Sequence, residues 1–150
     1  MSIESYDKAH KLALKQFRSD SSKGIYPYLQ VLDEILSYTN TAAEIELGLT
    51  DIPLELIAGT KSAGRTNAFA SNFMPLLPDH SEFAIKWSSL YDTHIREGIR
   101  DPVIVYEFMN RFYVAEGNKR VSILKYCDAV TVSAYVTRII PQKNNSKEAK

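Results

Sequence analysis

Several things are scarce in this chain, and each scarcity removes a class. Of its 150 residues only one is cysteine, so Cys127 has no partner for an intrachain disulfide and a covalent scaffold is excluded. The three histidines, His10, His80 and His94, stand far apart with neither an H-x-x-x-H nor a Cys/His spacing, which argues against zinc. No run approaches the roughly 20 apolar residues of a membrane-spanning helix. The opening Met1-Ser2-Ile3-Glu4-Ser5-Tyr6 also lacks the basic-then-apolar order of a secretory signal, so a cytoplasmic chain without membrane contact is expected. Charge of either sign is missing in excess: 18 basic and 18 acidic side chains leave a formal net charge of zero. No global field therefore draws the molecule to nucleic acid or anionic lipid, and any such contact has to come from a local cluster.

What is present is enough for a core. Hydrophobic residues make up 45% and aromatics 11% of a length typical of one domain, so neither metal nor disulfide is needed to hold it together. Ser2 is placed to cap a first helix, in which Tyr6, Ala9, Ala13 and Phe17 recur at helical spacing up to the Ser/Gly punctuation at 21–24. Its opposite face carries Lys8, Lys11, Lys15 and Arg18, the pattern of a solvated surface. Tyr26-Pro27-Tyr28 is extended before its proline, and residues 29–36 suit a short helix. Ile45, Leu47 and Leu49 then alternate with Glu44, Glu46 and Gly48, which predicts a strand with one buried face; residues 53–57 follow as a short turn of helix.

The second half repeats this change of period. Ser81 caps a helix containing Phe83, Ala84, Trp87, Leu90 and Tyr91 and ending at Gly98. After Pro102 come Val103-Ile104-Val105-Tyr106, a break near Met109-Asn110 and Phe112-Tyr113-Val114-Ala115, for which a hairpin is the simplest reading. Val121, Ile123, Leu124 and Cys127 fit a buried helix face, residues 130–140 return as a strand ended by Pro141, and residues 142–150 form a polar tail or linker.

Chemistry concentrates at the passage from strand to helix, Glu116-Gly117-Asn118-Lys119-Arg120-Val121-Ser122. With Asn118 as cap, Lys119 and Arg120 occupy the first turn, where unpaired N–H groups already make a positive potential and cations are unfavourable. A phosphate would collect those N–H groups, the Lys119 charge and the Arg120 fork, while Gly117 leaves room for close approach. The alternative is that Glu116 and a nearby carboxylate neutralise the pair and Gly117 merely turns the chain. A second stretch, residues 59–66, nearly spells a P-loop with Arg65 in place of its lysine. It is rejected because residues 51–57 contain a proline and a helical rhythm where a buried parallel strand is required. What remains there is a small-residue loop offering Lys61 and Arg65. His94, beside Asp92 and Arg96, reads as a surface helix histidine, with a general base as the rarer reading. Cys127 reads as a small core residue more than a thiolate.

The order of these elements resembles the ParB/sulfiredoxin-like fold over roughly residues 45–140: strand and short helix, arginine-containing loop, helix to Gly98, Asp101-Pro102-Val103-Ile104-Val105, hairpin, then Glu116-Gly117-Asn118-Lys119-Arg120 and a helix. In that superfamily a glycine–polar–basic–arginine run at a helix start binds nucleotide phosphates: CTP in ParB proteins, ATP in sulfiredoxin, ADP in a related free-serine kinase. The resemblance thus implies phosphate ligation by Gly117, Asn118, Lys119, Arg120 and Ser122, with Arg65 as the arginine closing the first ParB-type box. Sulfiredoxin carries its reactive cysteine where Asn118 stands, so sulfinic acid reduction is not implied. ParB has alanine where Ile123 stands and needs a helix-turn-helix and a dimerisation segment for which this chain is too short. The first helix, the Tyr-Pro-Tyr segment and the Gly-Thr-Lys-Ser loop look like an uncharacterised bacterial ParB-like group in which such a domain precedes further C-terminal regions.

These readings converge on an α/β (α+β) fold with a small mixed sheet, a hairpin and surrounding helices. Residues 1–44 are expected as an N-terminal helical extension, 45–141 as the ParB/sulfiredoxin-like domain and 142–150 as tail. The expected role is binding of a nucleoside triphosphate, CTP or ATP, with or without Mg2+. Were the site catalytic, Lys119 and Arg120 would stabilise the transferred group, and Glu116 would hold Mg2+ or accept a proton. The rival expectation is a DNA-associated or protein-interaction module using the same basic cluster.

Overall fold

A computed structural model of the chain describes residues 3–64 and 66–142. The first helix, α1 (Ile3–Ser22), buries Tyr6, Ala9 and Ala13, the three-and-four spacing of one helical face, and leaves Lys8, Lys11, Lys15 and Arg18 exposed. Its proposed cap, Ser2, lies outside the described residues. The stretch expected as one short helix divides into a two-residue strand β1 (Gln30–Val31) and α2 (Leu32–Leu36).

The strand β2 (Thr41–Pro53) is present and longer than expected, but its alternating side chains are not buried. Ile45, Leu47 and Leu49 are all more than 40% exposed, which corrects the expectation of a core-facing strand. Neither face of the strand is covered from Thr41 to Asp51, and a bulge also breaks the alternation: register slips between Glu46 and Gly48, where Gly48 takes φ +78°, so positions before and after Leu47 refer to opposite faces. Where a helical turn was expected at 53–57, a 3-10 turn (Leu54–Leu56) leads into a further strand, β3 (Ile57–Thr60).

The remaining elements follow the periodicity closely. Helix α3 (Glu82–Glu97) is capped by Ser81, whose hydroxyl accepts from the Ala84 N–H at 3.1 Å, and it ends at Gly98 with φ +83°. Strands β4 (Val103–Phe108) and β5 (Arg111–Glu116) form the hairpin; helix α4 (Asn118–Tyr126) and strand β6 (Thr131–Pro141) complete the chain. The sheet is mixed and six-stranded in the order β1-β3-β5-β4-β6-β2. β3 runs parallel to β1 and β5, β4 parallel to β6, and β2 antiparallel to β6.

One face of the sheet carries the main core. Val103, Val105, Ala134 and Val136 meet Trp87, Phe83 and Val121, together with Tyr6 of α1, in one continuous cluster. On the opposite face α2 covers one end, packing Leu32 against Phe108, Tyr113 and Ile139. Within the segment 1–44 expected as an N-terminal helical extension, the described residues 3–44 supply strand β1 to the sheet and side chains to both apolar clusters.

Candidate anion-binding site

Strand β5 ends at Glu116, and Gly117 turns the chain into α4 with φ +114°. A Cβ on Gly117 would lie 2.6 Å from Val103 Cγ1 and 3.2 Å from Arg120 Nη2, so the glycine is required by the protein's own packing as well as by its backbone angle. This differs from the sequence-based reason, room for a phosphate. The helix also begins one residue earlier than expected: Gly117 is the cap and Asn118 the first helical residue. A glycine cap offers no side-chain acceptor to the first turn, and that turn holds no acidic residue.

Three side chains complete the site. Asn118 donates from Nδ2 to Thr60 Oγ1 at 3.3 Å, and Thr60 donates in turn to the Val114 carbonyl at 3.0 Å, so β3 and β5 fix the amide. Its Oδ1 is buried with no hydrogen-bond partner among the described residues. Arg120 donates from Nη1 to the carbonyls of Asp101 at 3.0 Å and Pro102 at 2.8 Å, which holds the guanidinium at the entry to β4. Lys119 places its ammonium 5.1 Å from the centre of the Phe83 ring. Glu116 is exposed, and among the described residues neither it nor Arg120 forms an ion pair, so Glu116 does not neutralise that arginine.

Together these residues line a cleft of about 400 Å³ whose apolar wall is Phe69, Phe83 and Leu90. An adjoining cleft of about 370 Å³ shares Leu90 and Arg120 and adds Arg100 and Asp101. Arg100 is exposed and escaped the sequence reading, because its nearness to Arg120 depends on how the α3–β4 connection meets α4.

Other expected residues go elsewhere. Ser122 is fully buried, and its hydroxyl accepts from Trp87 Nε1 at 2.9 Å, so it faces the core instead of the cleft. Arg65 lies outside the described residues. Lys61 is committed locally: it pairs with Asp33 at 2.5 Å, and that hydrogen bond, joined by one from Ser62, holds the Asp33 carboxyl below its ordinary range. The P-loop rejection stands on a different ground. A parallel strand does precede the loop, but Gly59 belongs to that strand, where a Cβ would run into the Gln30 carbonyl oxygen, and a three-residue 3-10 turn (Thr66–Ala68) follows in place of a helix.

His94 accepts from the Ile99 N–H at 3.1 Å through Nδ1 and serves the end of α3, away from any general-base role. Cys127 caps the far end of α4, and burial pushes its thiol up, away from thiolate. Nearby Lys125 donates to the Ile57 carbonyl at 3.2 Å, and burial pushes its ammonium down.

No protein-family model matches the chain, and no curated protein does. Among solved structures it is similar to a sulfiredoxin from Arabidopsis thaliana, at 20% identity and a TM-score of 0.40, over 59% of this chain and 82% of that one.

Proposed function

We propose that the cleft at the start of α4 binds a nucleotide through its phosphates. The observation that carries this reading is a helix start with no capping side chain and no first-turn acid, whose first turn holds Lys119 and Arg120, with Arg120 hydrogen-bonded to backbone carbonyls and in no ion pair among the described residues. The uncapped N–H groups and the adjacent arginine give this place a potential that favours an anion. Leu90, the partly exposed member of the cleft's apolar wall, adds surface against which a base or sugar can lie. The buried, unpartnered Asn118 Oδ1 adds an acceptor for a ligand N–H or O–H at the same wall.

A magnesium ion fits this site only as a passenger. Glu116 is the one carboxylate lining the cleft, and no cluster of three His, Cys, Asp or Glu side chains suited to a metal occurs among the described residues. The ion would take most of its oxygens from the phosphates and water. If turnover occurs, it is hydrolysis: water attacks the terminal phosphorus, the bridging P–O bond breaks, Arg120 and Lys119 stabilise the phosphate charge, and Glu116 takes the water's proton.

Calorimetric titration with CTP, ATP, GTP and UTP, with and without Mg2+, tests the reading. Saturable binding by the wild type is expected, weakened at least about 10-fold in Arg120→Ala, as for loss of a charge-assisted contact. Absence of saturable binding in folded protein up to millimolar nucleotide sinks it. DNA affinity that falls steeply with salt would transfer the same cations to the rival nucleic-acid reading.

A further inference from the structure

The strand β2 ends the sheet, and its outer edge has no partner among the described residues. At the opposite end the sheet closes with the two-residue β1, so β2, 13 residues and roughly 44 Å long, is its long open edge. An edge of this kind exposes a row of N–H and C=O groups able to pair with a further strand.

The bulge at Leu47 gives this edge a particular chemistry. Side chains directly opposite each other across a strand pair share a face. Glu44 stands opposite Ile139, Glu46 opposite Thr137, Leu49 opposite Tyr135 and Asp51 opposite Ser133. Those four β6 residues alternate, so Glu44, Glu46, Leu49 and Asp51 share one face although their numbering changes from even to odd. The 2.9 Å hydrogen bond from Ser133 Oγ to Asp51 Oδ1 agrees with that placement. On the same face Leu49, Tyr135 and Ile104 lie side by side across β2, β6 and β4, and they are 56%, 52% and 39% exposed. Helix α2 covers only the other end of this face, around Ile139 and Phe108. Three carboxylates therefore border an apolar shelf beside an open strand edge, and β2 contains no lysine or arginine.

We propose that β2 is a docking edge for an extended basic segment of another protein, which joins the sheet as a seventh strand. Its basic side chains meet Glu44, Glu46 and Asp51, and an apolar one packs against Leu49 at the open side of the shelf. Charge complementarity selects this occupant over a second copy of the chain. Self-pairing would bring three carboxylates from each copy onto adjacent strands with no cation between them. The proposal does not rest on the nucleotide reading.

The test uses the full chain and a fluorescein-labelled eight-residue peptide whose alternate positions are lysine, lysine, valine and lysine with threonine between them, so that all four share one face, with two controls: its glutamate counterpart and the same peptide N-methylated throughout. Saturable binding of the lysine peptide is expected, with slowed amide exchange confined to β2, and with no binding of either control. The double variant Glu44→Lys with Glu46→Lys is expected to lose at least about 10-fold in affinity, since two attractions become repulsions. These residues are exposed, and an unchanged thermal transition establishes that the variant folds. The proposal is overturned by no binding of the lysine peptide, by equal binding of either control, or by an unaffected double variant. It also fails if the chain alone sediments as a dimer through β2.

Discussion

A hydroxyl sealed from solvent serves the protein before any ligand, and Ser122 is sealed. Its oxygen accepts the indole N–H of Trp87, itself fully buried, so the pair satisfies a polar group that the core would otherwise strand. Ser122→Ala is therefore expected to cost about 1–3 kcal/mol, the penalty of an unpaired buried donor, measured by urea denaturation. The same variant should leave nucleotide affinity at the α4 cleft unchanged, whereas Arg120→Ala should weaken it. Loss of binding in Ser122→Ala with stability intact would return Ser122 to the phosphate site. The two residues stand within one turn of each other, so only the direction of the side chain separates a role in packing from a role in binding.

Among the elements, the β4–β5 hairpin shows how a turn can oppose its own residues. Phe108 pairs with Arg111, leaving Met109 and Asn110 as a two-residue loop, and both have positive φ, at 50° and 66°. That is the type I′ arrangement, which suits Asn-Gly and costs a residue such as methionine about 1–2 kcal/mol. Met109 is 70% exposed, so replacing it sacrifices little packing. Met109→Asn with Asn110→Gly should therefore stabilise by about 1 kcal/mol and raise Tm by roughly 2–4 °C in a thermal melt. The hairpin was legible in sequence because two β-rich runs flank a short break, and α3 was legible because Ser81 and Gly98 mark its ends. Strand β3 was not: Ile57-Ala58-Gly59-Thr60 has no alternation, and it is a strand because β1 and β5 pair with it from either side. The bulge in β2 was hidden for a related reason, since Gly48 looks like any other polar-side position until β6 sets the register. At the site, the Gly117–Arg120 run was visible as a string. Its surroundings, Phe69 in the cleft wall, Arg100 in the adjoining cleft and Thr60 behind Asn118, come from distant segments and carry no local mark.

Across the whole molecule, one side chain ties the helices together. Trp87 on α3 packs edge-on to Tyr6 of α1 at 5.4 Å, stacks on Tyr91 at 5.7 Å and meets Tyr126 of α4 at 5.7 Å. Tyr6 also donates to the Leu77 carbonyl at 2.6 Å, and burial pushes its phenol well up, so it remains a neutral donor at ordinary pH. Helix α1 therefore belongs to the same cooperative unit as the sheet, since its face lies in the cluster that reaches Val105 and Val136. Tyr6→Ala opens a cavity beside Trp87 and strands that carbonyl, for an expected loss of about 3–5 kcal/mol. A domain of this size has about 5–15 kcal/mol in total, so the variant should lose a large share of it and show a much lower urea midpoint. Trp87, the sole tryptophan, reports the α1–α3–α4 junction by fluorescence, while far-UV circular dichroism reports all the secondary structure. If α1 is integral, both signals move to the same new midpoint in Tyr6→Ala. If α1 is an appendage, the fluorescence changes early and the main dichroism transition stays where it was, because the sheet, α3 and α4 would then hold without it.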